Sequence, residues 1–272
     1  MSAIRVGAVE YLNARPLIYG LDERTDLFEL RFDVPAKCAA LLHEGAVDLG
    51  LIPSIEYLKG SNYCIVPDMA VSSQGPVASV ALFTSRPTTA IRSVAVDSSS
   101  RTGSALLHVL CARWFDIEPK FVTMQPELST MLKRCDAALL IGDSALFTDH
   151  ESQGLDKIDL GDEWTAMTSL PFVWACWVGK ANALAPAHLA ALRAARDRGV
   201  AALDGIARQY CATDAEREAV ARQYLHENVV YGLDEQAKAG LRKFFDAAHD
   251  LRIVPNAGTL RFYPQSKIDN RQ

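Results

Sequence analysis

Short apolar runs alternate along the first half of the chain with stretches in which apolar residues recur at helical spacing. Ile4 to Val6 is a β-branched run that ends near Gly7, and Pro16 favours the first turn of a following helix, where its missing N–H is unpaired anyway. Phe28 to Val34 reads as extended, Pro35 to Glu44 as helical, Val47 to Ile52 as extended, and Pro53 to Leu58 as one or two helical turns. Pro35 opens its helix, Gly45 closes it, and Ala39, Leu41 and Leu42 form a face for a sheet. Tyr63 to Val66 and Val77 to Phe83 follow as strands, with Pro67, Gly75 and Pro76 breaking the pattern between them. Such alternation predicts a largely parallel sheet.

A second unit begins near Ser85-Arg86-Pro87. Ser93 to Val96 is its first strand and Gly103 to Phe115 its first helix; Lys120 to Thr123, Pro126 to Arg134 and Ala137 to Ile141 repeat the order. Asp143 to Phe147 reads as a short helix, and the aromatic run Phe172 to Val178 as the strand returning to the first unit. Beyond it, Pro186 to about Tyr210, Ala215 to His226 and Asp234 to Leu251 carry apolar residues at three- and four-residue spacing, as packed amphipathic helices do. These helices read as scaffold. Their pattern suits either an edge of the first unit or a dimer, and covering the edge is the expectation. The organisation is thus two α/β units, with 85–174 inserted between 1–84 and 175–272 and a ligand cleft between them.

Composition narrows the partners. A formal net charge of -5 gives no basic footprint for nucleic acid. An anionic ligand would need local positive potential from an arginine or a helix N-terminus. The N-terminus enters strand-like sequence at once, leaving no room for a secretory signal, and no apolar run approaches the roughly 20 residues that span a bilayer. The expected compartment is the cytoplasm, with no membrane partner. Cys38, Cys64, Cys111, Cys135, Cys176 and Cys211 are widely spaced among apolar neighbours and read as reduced core thiols. The histidines lack metal-ligand spacing.

Five polar segments fall where an open α/β fold places its ligand, beyond the carboxyl ends of strands or at the crossing between units. Tyr11, Asn13 and Arg15 follow the first strand; Asn13 as a helix cap is the alternative. Ser54 opens the 54–58 turns and could bond a carboxylate or simply cap, with Glu56 favouring the first turn. Ser79 stands inside an apolar crossing strand. Asp97-Ser-Ser-Ser-Arg-Thr-Gly103 sets Ser99, Ser100, Arg101 and Thr102 at a helix start, which suits an anion, although Ser98 or Ser99 could merely cap. Gly142 and Asp143 repeat that geometry after a later strand. Trp174 and Trp177 could line the cleft or the core.

Tyr-Leu-Asn-Ala-Arg-Pro-Leu (11 to 17), Asp-Leu-Gly-Leu-Ile-Pro-Ser (48 to 54), Gly-Pro-Val-Ala-Ser-Val (75 to 80), Asp-Ser-Ser-Ser-Arg-Thr (97 to 102) and Ala-Leu-Leu-Ile-Gly-Asp-Ser-Ala-Leu (138 to 146) occur in that order. Together they resemble the chorismate dehydratases of menaquinone biosynthesis. The resemblance implies a two-lobed α/β fold like the type 2 periplasmic binding proteins, with chorismate as the small-molecule substrate. It implies dehydration to 3-[(1-carboxyvinyl)oxy]benzoate, the first step of the futalosine route. Asn13 and Ser79 match positions expected to contact substrate; Arg15 and the 97–102 loop match motif positions.

A sister enzyme of that route, which cleaves cyclic dehypoxanthine futalosine, shares the fold. It resembles Ser-Pro-Cys-Pro-Asn-Asp-Thr where this chain has Glu-Tyr-Leu-Asn-Ala-Arg-Pro, so the dehydratase is favoured. A non-catalytic binder of small anions is the other alternative, since a fold does not fix a function. The dehydration calls for no metal or cofactor. The substrate's own enolpyruvyl carboxylate is the expected acceptor of the C3 proton, with Asn13 and Ser79 holding the reacting geometry; a protein carboxylate is the alternative, although Glu10, Asp97 and Asp143 are each explicable as a turn or cap residue.

Overall fold

The structure, a computed structural model, describes residues 3–264. Eleven strands form two mixed sheets among these residues. The first sheet contains β1 (Ile4–Val9), β2 (Phe28–Asp33), β3 (Leu49–Pro53), β4 (Tyr63–Ile65), β5 (Val71–Ser73) and β11 (Phe172–Lys180). Its order is β2-β1-β3-β11-β4, with β5 also on β11. The second holds β6 (Val80–Thr84), β7 (Ser93–Asp97), β8 (Lys120–Met124), β9 (Ala137–Ile141) and β10 (Asp156–Asp159), in the order β10-β6-β9-β7-β8.

The expectation of largely parallel pairing holds for β1 with β2 and β3, and for β7 with β8 and β9. It fails where the chain passes between sheets. β6, the entry strand, runs against β9, and β11, the return strand, runs against β3, β4 and β5. β6 already belongs to the second sheet, and Phe172 to Trp174 already belong to the first, so the sheets divide a few residues away from 84/85 and 174/175.

Burial explains why most elements were readable. All five residues of β3 are buried, as a central strand covered on both faces requires. Cys38, Ala39, Leu41 and Leu42 bury the inner face of the helix Pro35–His43. β1 runs on through Gly7 to Val9 because that glycine faces the same helix, with Cys38 in contact range. The expected single helix from Pro186 to Tyr210 is two, Pro186–Ala201 and Leu203–Cys211. Ala202 leaves helical geometry between them, and the turn buries Leu203, Ile206 and Ala207.

Two close approaches set the frame around the cleft. A Cβ on Gly199 would stand 2.2 Å from the Pro16 carbonyl oxygen, so only glycine lets this helix back onto the 11–16 turn. A Cβ on Gly240 would stand 2.0 Å from the Pro171 oxygen, where the helix Glu235–Asp250 presses on the chain entering β11. Phe244 of that helix packs edge-on against Trp164 and Phe172. All six cysteines are free and buried, as expected, and burial pushes the Cys38, Cys111 and Cys176 thiols up to about 12.

Candidate active site

Loops after four parallel strands converge between the sheets. They form a cleft whose walls include Tyr11 and Asn13 after β1, Pro53 at the end of β3, Ser99 to Gly103 after β7, and Gly142 after β9. Val71, Val80 and Trp174 also line it. Trp174 is anchored by its indole N–H to Ser73 Oγ (3.0 Å), whereas Trp177 is wholly in the core.

The 97–102 loop is built around Asp97. Its Oδ1 accepts from the Ser99 N–H (2.8 Å) and the Ser99 hydroxyl (2.7 Å), while Ser100 Oγ accepts from Ser104 N (3.1 Å) in the first turn of the helix Thr102–Leu110, whose N-cap is Arg101. Neither Ser98 nor Ser99 caps this helix; the first-turn N–H of Ser104 is met by Ser100. The Tyr11 hydroxyl meets Ser99, so a line of hydroxyls runs from the cleft to a buried carboxylate. Burial pushes both Tyr11 and Asp97 above their ordinary values. Asp97 Oδ2 is buried with no hydrogen-bond partner, and the Ile141 peptide lies close to the carboxyl.

Contacts join the two sets of loops across the cleft. Ser54 Oγ lies 3.4 Å from Thr102 Oγ1, which also accepts from Ile55 N (3.3 Å). Ser54 thus meets the opposite loop rather than lining the cleft. Glu56 lies in the first turn of the helix Ser54–Lys59, as expected, and is also a buried hub that binds His43 (2.9 Å), Lys59 (2.8 Å) and, at 3.9 Å, Arg101 from the facing lobe. Burial works to raise its carboxyl, but the His43 and Lys59 hydrogen bonds outweigh that and hold it low. Among the described residues lining the cleft, Arg101 is the one cation and no Asp, Glu or His appears.

Two further expected ligand residues, Arg15 and Asp143, stand elsewhere. Arg15 turns away: its Nε donates to the Glu10 carbonyl (3.2 Å), its guanidinium lies over the Tyr210 ring, and it lines an outer groove with Tyr19 and Arg198. Asp143 accepts from the Tyr210 hydroxyl and, at 3.5 Å, from Leu12 N, so it fastens the 11–16 turn instead of facing the cleft. Gly142 beside it does line the cleft, at φ 60°, where a Cβ would strike the Tyr11 ring.

Ser79 is not inside a strand. Its N–H bonds back to Val77 O (2.7 Å) across Ala78, whose φ is 60°, and β6 starts one residue later. Its hydroxyl is buried against Tyr224 OH (2.7 Å), and that phenol also meets the Asn13 side chain. Tyr224, from the helices read as scaffold, is the site residue that sequence reasoning missed; an aromatic at helical spacing looks the same in a core.

Two α/β lobes with polar strand-end loops facing one cleft define a protein of the periplasmic-binding-protein fold. Among solved structures it is similar to a protein from Archaeoglobus fulgidus, with TM-score 0.75 and 18% identity, covering 93% of this chain and 99% of that one. It is also similar to the periplasmic aliphatic sulphonate binding protein SsuA from Escherichia coli, with TM-score 0.69 and 16% identity, covering 100% and 95%. The chain belongs to the menaquinone-biosynthesis family, whose model matches residues 4–250. It is 31% identical to the chorismate dehydratase of Thermus thermophilus over 277 aligned residues, covering 96% of this chain and 98% of the relative. Among the described residues no helix is long and apolar enough to cross a membrane, and no cluster of three or more His, Cys, Asp or Glu could hold a metal ion.

Proposed function

We propose that this protein is a chorismate dehydratase, a hydro-lyase that converts chorismate to 3-[(1-carboxyvinyl)oxy]benzoate and water in the cytoplasm as the first step of the futalosine route. The observation that carries this reading is the end-to-end identity with the Thermus thermophilus enzyme. In the reaction the C3–H and C4–O bonds break, a ring double bond forms between those carbons, and the proton and hydroxide leave as water. Aromatisation supplies much of the driving force. The protein's task is to orient the substrate, stabilise developing charge and exclude water.

Arg101 and the start of the helix Thr102–Leu110 suit one substrate carboxylate. In this reading Asn13, on the cleft wall, holds the reacting ring, with Ser79 behind it through Tyr224. The enolpyruvyl carboxylate takes the C3 proton. Support for that step comes from the cleft wall, which carries no carboxylate or imidazole among the described residues.

Incubating the purified protein with chorismate and following products by chromatography and mass spectrometry tests the reading. The expected product is the aromatic enol ether, lighter than chorismate by one water. Chorismate recovered intact would sink the dehydratase assignment, and conversion of cyclic dehypoxanthine futalosine instead would name the sister activity.

A further inference from the structure

Tyr224 opens a π-helical turn, Tyr224–Asn228, at the end of the helix Ala215–Gln223. Such turns break the ordinary helical ladder and recur at functional sites. This one is stitched to the crossing between sheets. The Tyr224 hydroxyl bonds Ser79 Oγ (2.7 Å), Asn228 Nδ2 donates to the Pro76 carbonyl (2.9 Å), and Val230 and Ser72 exchange N–H···O bonds of 2.8 and 3.0 Å. From the opposite side, Asp159 accepts the N–H groups of Val77 (2.9 Å) and Ala78 (2.5 Å). The turn that presents Ser79 is therefore gripped on both flanks, and its positive-φ residue, Ala78, sits in the grip.

A phenol carries one proton to donate and can accept in return, so one hydroxyl can order two polar neighbours at once. Tyr224 is fully buried, which favours its neutral form, and it meets Ser79 from the crossing and Asn13 from the cleft wall. We propose that Tyr224 is a positioning residue for the dehydration, its hydroxyl fixing the Ser79 hydroxyl and the Asn13 amide in the orientation in which Asn13 meets substrate. The role rests on the reading of the protein as a chorismate dehydratase. Without the phenol oxygen, two polar groups in a dry site must find other partners, and each turns to do so.

Tyr224→Phe keeps the ring and removes only the hydroxyl. The expected result is a kcat per folded enzyme lower by about ten- to a hundredfold, with KM for chorismate changed less than about twofold, because misplaced groups cost rate more than binding. Added to Ser79→Ala, the same substitution costs less than about threefold more, since the two act as one unit. Asn228→Ala, which loosens the turn without touching the phenol, loses roughly three- to tenfold in kcat and keeps the proposal testable if Tyr224→Phe fails to fold.

Crystal structures of wild type and Tyr224→Phe give a readout that needs no substrate: the Ser79 hydroxyl or the Asn13 amide turns from its wild-type position. Wild-type kcat in Tyr224→Phe and Asn228→Ala, a full multiplicative loss in the double variant, or an unmoved Ser79 and Asn13 overturns the proposal. A wild-type protein inert toward chorismate strikes the functional reading instead, and the paired crystal structures still decide whether Tyr224 sets the geometry.

Discussion

Asp97 and Asp159 each close a strand of the second sheet, and burial pushes the carboxyl of each above its ordinary value, yet their surroundings differ. Asp159 accepts four peptide N–H groups, from Val77, Ala78, Gly161 and Asp162, at 2.5 to 3.2 Å. It caps the helix Leu160–Thr168 and at the same time knots the outgoing crossing to it. Asp97 has donors on one oxygen, both from Ser99, and none on the other. Placement at a strand end therefore does not decide what a carboxylate does. The donors around it do: they make Asp159 a fastening, while Asp97 keeps one buried oxygen without a hydrogen-bond partner.

Asp159→Asn should break this pair apart most visibly. An amide keeps one accepting oxygen and turns an NH2 toward peptide N–H groups, so a loss of about 2–4 kcal/mol is expected in urea unfolding. A loss below about 1 kcal/mol would mean that the four bonds do not fasten the crossing.

Asp97→Asn should cost about 1 kcal/mol or less at neutral pH, since no second set of donors is broken. Its sharper signature is in pH. A carboxyl raised on folding contributes stability that is present below the ordinary aspartate pKa and is lost as pH rises through the raised one. Wild type should therefore lose stability across that acidic window relative to Asp97→Asn, and parallel pH profiles for the two proteins would contradict the contrast.

Ala78→Gly gives the smallest effect, a gain of roughly 0.5 kcal/mol in unfolding free energy, because glycine relieves the positive φ while loosening the unfolded chain. No gain would place the strain somewhere other than in the Asp159 grip.

Most of the fold was legible where burial imposed a pattern. β3 and the helix Pro35–His43 have their expected positions because a strand covered on both faces and a half-buried helix each leave a distinct apolar spacing. β10 was not legible: Asp-Lys-Ile-Asp is an edge strand whose pairing with β6 is made by backbone, leaving little in its side chains to read. The helix Leu160–Thr168 escaped with it.

Within the site, Tyr11, Asn13, the Ser99–Thr102 loop and Gly142 were legible as polar or small residues after strands, and they line the cleft. Arg15 was misplaced because side-chain direction at a tight turn is set by a partner, Tyr210, that lies far along the chain. Tyr224 was invisible for the same reason. Its partner, Ser79, is joined to it only by the fold.

The position of β11 also orders events during synthesis. It lies between β3 and β4 in the middle of the first sheet, although it is made more than a hundred residues after either. The second sheet, by contrast, comes entirely from the contiguous segment 80–159. On a ribosome the second lobe can therefore complete its sheet first. The earlier strands β1 to β3 must wait, with an open edge at β3, until the return strand emerges to fill it.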